Sequence, residues 1–214
     1  MSPVLLRTTL ALGLSALAAP AFAADFAACF TLTPGLRWST SDETLTIENA
    51  AFNGAPAMKV SSAGGGVGRA SFFDASGRML LGEERYGIAA WNGDAAAPVM
   101  TDAFDPMPSF PQTAAPGEQF QVNGKGTRTH HGEGTVSDID YDGFNDYTFV
   151  GFENVDATVD GKPRTFAGTC HLTARFEDNR MEVWYAAGFG RIKFERYMGE
   201  ELLMRDEIEA IHAD

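Results

Sequence analysis

Only two cysteines, Cys29 and Cys170, occur in the 214 residues, together with four histidines. Two cysteines so far apart form no CxxC redox pair and no cysteine-built zinc site, and they allow a single intramolecular connectivity. Cations are scarce as well: 16 Lys and Arg stand against 29 Asp and Glu, a net charge of −13. A chain this acidic lacks the basic patch that nucleic acid or an anionic membrane surface requires. No apolar run approaches the roughly 20 residues of a membrane-spanning helix, so an integral membrane protein is not expected. Catalytic signatures are also missing. There is no G-x-S-x-G elbow, no H-E-x-x-H and no cysteine placed as a nucleophile. His130 and His131, near Glu133, would point to opposite faces of a strand, and His171 and His212 have no ligand partners at metal spacing. Strong helical periodicity is absent too, which leaves few elements other than strands.

The N-terminus is the most informative segment. Arg7 precedes an apolar run from Leu10 to Ala19, Pro20 breaks it, and Ala21-Phe22-Ala23 offers small residues at the two positions a signal peptidase reads. Residues 1–23 are therefore expected to be a signal peptide, and 24–214 a single mature domain, periplasmic or secreted. A lipid-attachment box ending at Cys29 is the competing reading; Asp25 and Phe26 argue against such anchoring. Loss of Arg7 leaves 15 cations against 29 carboxylates, a net of −14. In an oxidising compartment Cys29 and Cys170 are expected to pair, closing a loop for which chain entropy sets an upper contribution of roughly 4–5 kcal/mol. With 44% apolar residues there is material for one sizeable core.

Short apolar–polar alternations separated by Gly, Pro, Asn and Asp dominate the rest, the pattern of an antiparallel all-β protein. Leu45–Ile47, Ala57–Val60 and Arg69–Phe73 read as strands, with Asn53-Gly54 and the glycines at 64–68 as turns. Five prolines (Pro98, Pro106, Pro108, Pro111 and Pro116) make 93–118 an irregular crossover; Phe104, Met107 and Phe110 within it are expected to pack on the core. Strands are expected again over 145–155 and 165–176 around an Asp160-Gly161 turn, then over 181–185 and 191–196, split by Gly188-Phe189-Gly190. The tail, 202–211, reads as a strand, with a short charged helix as the alternative. Trp38 and Trp184 are expected in the core with their indole N–H groups bonded at its edge.

Three segments carry a resemblance: Phe30-x-Leu32-x-x-Gly35-x-x-Trp38; Gly151-Phe152-Glu153-Asn154-Val155 followed by Ala167-Gly168-Thr169-Cys170; and Trp184-Tyr185-Ala186-Ala187-Gly188-Phe189-Gly190-Arg191-Ile192-Lys193. Together they resemble uncharacterised exported bacterial β-rich proteins, whose fold is similar to the half-open barrel of periplasmic lipoprotein carriers. The resemblance implies an antiparallel sheet curved into a half-barrel or sandwich, with little helix. It implies no settled activity.

One segment has metal-ligand spacing. Asp138, Asp140, Asp142 and Asp146 stand at positions 1, 3, 5 and 9 of a D-x-D-x-D-G-x-x-D run, with Gly143 at 6 and the Phe144 carbonyl at 7, the oxygen spacing of calcium loops. Position 12 is Phe149, so the bidentate glutamate of an EF-hand is missing. The competing reading is a solvated hairpin turning at Asp142-Gly143, with Asp140 opposite Asn145. The leading functional expectation is a non-catalytic β-sheet protein that holds an apolar ligand or an envelope partner in its concave face. A calcium-stabilised structural or adhesion module and a periplasmic hydrolase are the alternatives.

Overall fold

Two tight turns set the frame. Asn53 and Gly54, and again Asp160 and Gly161, all have positive φ, the conformation that makes a two-residue turn match the right-handed twist of its strands. Each sits where the sequence places a turn. The computed structural model describes residues 25–64, 67–87, 97–141, 146–176 and 178–212. The proposed signal peptide lies outside them.

A 3-10 turn, Phe26–Phe30, is capped by Asp25, whose side chain accepts from the Ala27 N–H. Fourteen strands follow: β1 Arg37–Thr40, β2 Glu43–Phe52, β3 Ala55–Gly64, β4 Val67–Phe73, β5 Leu80–Tyr86, β6 Met100–Phe104 and β7 Gln119–Gln121. Then come β8 Lys125–His130, β9 Thr135–Asp140, β10 Asp146–Val159, β11 Lys162–Phe176, β12 Asn179–Ala186, β13 Gly190–Met198 and β14 Glu201–His212. They form one antiparallel sheet in the order β7-β10-β11-β12-β13-β14-β1-β2-β3-β4-β5-β6-β8-β9. The class is all-β, as the alternation implies, and the sheet is not closed into a barrel. The ambiguous tail is a strand, β14, and it lies between β13 and β1.

The sheet curls because its inner face must bury itself. Trp38, Leu45, Ile47 and Met58 from β1–β3 share a core cluster with Ile208 of β14 and with Val155, Val159 and Phe166, from strands on the far side of β14. β10 is bent by irregular pairing after Phe149 and after Glu153. Tyr147 and Phe149 therefore enter a second cluster with Phe26, Phe30 and Leu172, while Val155 to Val159 enter the first. The far end of β10 returns to β14, where the Asp160 N–H donates to the Glu209 carbonyl at 2.8 Å. The disulfide Cys29–Cys170 is formed, with a Cα–Cα distance of 5.9 Å, and fixes the 3-10 turn to β11.

Two expectations are corrected. The proline-rich stretch is not irregular throughout: Met100–Phe104 forms β6, bonded to β5 and β8, because the prolines flank those five residues and leave their N–H groups available. Phe104 and Pro108 are buried, as a stretch packed on the core requires. The solvated hairpin at 138–146 is also not formed by its strands. β9 ends the sheet at one edge and β10 is second from the other, so the two are not partners. Residues 142–145, including Asp142, Phe144 and Asn145, lie outside the described residues.

Candidate functional site

On the concave side a cavity of about 300 Å³ remains between the inner face of β1–β5 and an aromatic cover. The cover is built from local sequence. Phe30 ends the 3-10 turn beside the disulfide, stacks on Phe110 at 4.4 Å and meets Tyr185 at 5.0 Å. Phe189, on the turn between β12 and β13, packs edge-on against Trp38 and Phe166. That turn needs glycine on both sides: Gly188 and Gly190 have φ near +86° and +77°, and a Cβ on Gly188 would stand 2.8 Å from Thr33 Oγ1. Leu32 bridges to the same turn.

The opposite wall follows from strand register. Leu45, Ser62 and Arg69 face one another across β2–β4; one step along, Val60, Ser71 and Glu83 do so across β3–β5; beyond them Met58 pairs with Phe73. Since directly opposed residues share a face, this wall grades from apolar at Phe73, through the Val60–Ser71–Glu83 row, to Arg69 with Glu43 beyond. Arg69 Nη2 donates to both carboxylate oxygens of Glu83, at 2.7 and 2.6 Å, and Ser71 adds a third donor at 3.2 Å. Arg191 Nη2 pairs with Glu43 and stands 3.6 Å from Asp206. In the first pair the side chains are 49% (Arg69) and 7% (Glu83) exposed. In the second, Arg191 is 36% exposed, Glu43 20% and Asp206 4%. In both pairs the arginine side chain is the more exposed partner and the acidic side chains are more covered. Burial pushes the Tyr185 phenol above its ordinary value, against the opposing charge of Arg191, so it is a neutral donor at pH 7.

Glu83 is also cross-strand to Asp102, an arrangement that repels unless each carboxylate has its own cation. Arg128 supplies it, donating from Nε and Nη2 to the two Asp102 oxygens at 2.7 Å each.

The aspartates of calcium spacing are placed as follows. Asp138 and Asp140 are exposed on β9, and Asp140 stands 3.8 Å from Lys125. Both border a cleft of about 650 Å³ whose walls are largely exposed polar side chains, a poor place to strip a ligand of water. Asp146 opens β10 and accepts a hydrogen bond from Gln121 Nε2 at 2.9 Å. Among the described residues no three His, Cys, Asp or Glu side chains gather as a metal site. His131 bonds Thr101, while His171 lies between Glu182 (2.6 Å) and Glu153 (3.4 Å) and stacks on Trp184. His171 is opposite Trp184, on the face away from the buried Cys170 and Leu172, and no hydroxyl or thiol among the described residues is bonded to it.

The tryptophans divide. Trp184 Nε1 donates to Glu153, as expected at a core edge, whereas the buried Trp38 Nε1 has no hydrogen-bond partner. The sequence reading misses Glu43, Arg69, Glu83 and Arg191 altogether. Each looks like an ordinary solvent-facing strand residue. The available signal is that β4 is apolar on both parities, with Ala70 and Phe72 on one and Phe73 on the other, so Arg69 belongs to a strand covered on both sides.

No helix among the described residues is long and apolar enough to cross a membrane. No family model matches this chain, and no curated relative does. A solved structure from Bacteroides fragilis, a candidate exported protein with a YmcC-like fold, aligns over 86% of this chain and 98% of its own, at 16% identity and a TM-score of 0.41.

Proposed function

We propose that this is an exported, non-catalytic binding protein that holds a single apolar chain in the concave cavity. One observation carries the reading: the half-barrel does not fill its own concave side. It keeps about 300 Å³ between Phe30, Phe110 and Phe189 on the cover and Leu45, Val60 and Phe73 on the sheet. That volume is at the small end for ligand sites and combines an apolar lining with a few convergent polar groups. A space of this size has room for one chain of medium length. Export is supported by the leader-like N-terminus and by a disulfide that oxidising compartments maintain.

The test is titration of the oxidised protein with dodecanol, followed by calorimetry and by tryptophan fluorescence, because Trp38 borders the cavity. Saturable one-to-one binding is expected, weakened about tenfold or more by Val60→Trp, which fills the space. Absence of saturable binding by the unaltered protein sinks the reading.

A further inference from the structure

We infer that the ligand is a single-chain amphiphile with an oxyanion head, a carboxylate or a phosphate, received by Arg69 and Arg191 at the polar end of the cavity. The inference rests on the cavity reading above and adds the chemistry of the head.

Three observations carry it. Polarity is graded along the cavity: register runs from Phe73, through the mixed Val60–Ser71–Glu83 row, to Leu45–Ser62–Arg69, with Glu43 beyond. A ligand aligned with this wall has one apolar and one polar end. Secondly, the ion pairs at the polar end are oriented. The acidic side chains are 4–20% exposed and the arginine side chains 36% and 49%, so the more accessible partner that an incoming head meets is the cation. Thirdly, the carboxylates hold the guanidiniums in place before a ligand arrives. Both carboxylate oxygens of Glu83 accept from one nitrogen of Arg69, and Glu43 and Asp206 share one nitrogen of Arg191. A planar guanidinium fixed in this way suits oxyanions, and charge-assisted bonds of this kind are about twice as strong as neutral ones. The net charge of −13 opposes an anion at long range. With a screening length of about 8 Å at physiological salt, however, the rim dominates once the head is in contact.

The experiment is calorimetry on the full oxidised chain with four twelve-carbon probes: dodecanoate, dodecyl phosphate, dodecanol and dodecyltrimethylammonium. Dodecanoate or dodecyl phosphate is expected to bind about tenfold or more tightly than the neutral and cationic probes, and the tighter of the two identifies the head. The advantage should shrink as salt is raised. Arg69→Leu combined with Glu83→Leu removes a pair without stranding a buried charge, and should erase most of the anion preference while dodecanol still binds. Arg191→Lys, which keeps the charge and loses the fork, should reduce it in part. Equal affinity for dodecanoate and dodecanol in the unaltered protein overturns the head assignment and leaves the cavity reading standing. Preference for the ammonium probe overturns it in favour of the carboxylates. Binding of none of the four removes both readings together.

Discussion

Two tryptophans of similar apparent role behave differently one side chain at a time. Trp184 gives its indole N–H to Glu153; the Trp38 N–H is buried without a partner. Replacing Trp38 by Phe removes an unsatisfied donor along with some packing, so urea unfolding should show a loss within about 1 kcal/mol. Trp38→Ala should cost about 3–5 kcal/mol, because the cavity it leaves cannot collapse. Glu195 offers a pH test. Burial alone would raise its carboxyl, but hydrogen bonds from Tyr197 and Lys193 and the charges of Lys193 and Arg205 bring it below the usual range. A lowered folded value means that its stabilisation is present above the unfolded glutamate value, about 4.3, and is lost as pH falls from there through the folded value. Glu195→Gln should therefore be less stable at pH 7 and lose less on acidification below about 4.3, as read from denaturant midpoints across pH. At this scale the sequence discloses the Cys29–Cys170 pair, since two cysteines have only one way to join. It cannot disclose the Trp38 deficit or the Arg69–Glu83 pair, which depend on what a neighbouring strand brings opposite.

Among the elements, turns are the most legible, because a two-residue turn with positive φ leaves a chemical mark. Gly161 has φ of +72° with open space around its Cα, so Gly161→Ala should cost about 1–2 kcal/mol through backbone conformation alone, measurable as a lowered melting temperature. Strands β8 and β9 are harder to read. β8 is almost wholly polar, and in β9 the two apolar residues, Val136 and Ile139, fall on opposite faces, so neither strand has an apolar face to betray the period. The calcium-spaced segment begins in β9, and sequence spacing carries no information on what else its acids bond. With Asp140 near Lys125 and Asp146 engaged by Gln121, calcium up to several millimolar is expected to leave the melting temperature unchanged. A rise of several degrees that magnesium does not reproduce would overturn that expectation. The tip of the β13–β14 hairpin is tolerant ground: Leu203 is exposed whereas Ile208, on the same strand, is fully buried. Leu203→Lys should shift stability by no more than about 0.5 kcal/mol, and Ile208→Ala should remove about 2–5.

For the molecule as a whole, class and antiparallel character follow from period-2 alternation, but strand order does not, because nothing local tells β14 to pair with β1. Two meanders, β1–β6 with β8 and β9 on one side and β10–β14 on the other, meet at that pair. The disulfide ties the same halves at a second place, across a separation of 141 residues. The chain-entropy model gives such a link up to roughly 5 kcal/mol, so the reduced protein should melt below the oxidised one by up to about 10–20 °C.

The junction also has a consequence in time. A ribosome delivers residues in order, and the strand that unites the halves, Glu201–His212, follows the thirteen other described strands. Until it emerges, β1 lacks one neighbour and β13 lacks the other, so the nascent polypeptide carries two open hydrogen-bonding edges that Glu201–His212 seals. A product cut before Glu201 would not be a slightly shorter protein. It would be two half-sheets with sticky margins, and proteases or holdase chaperones would meet it as such.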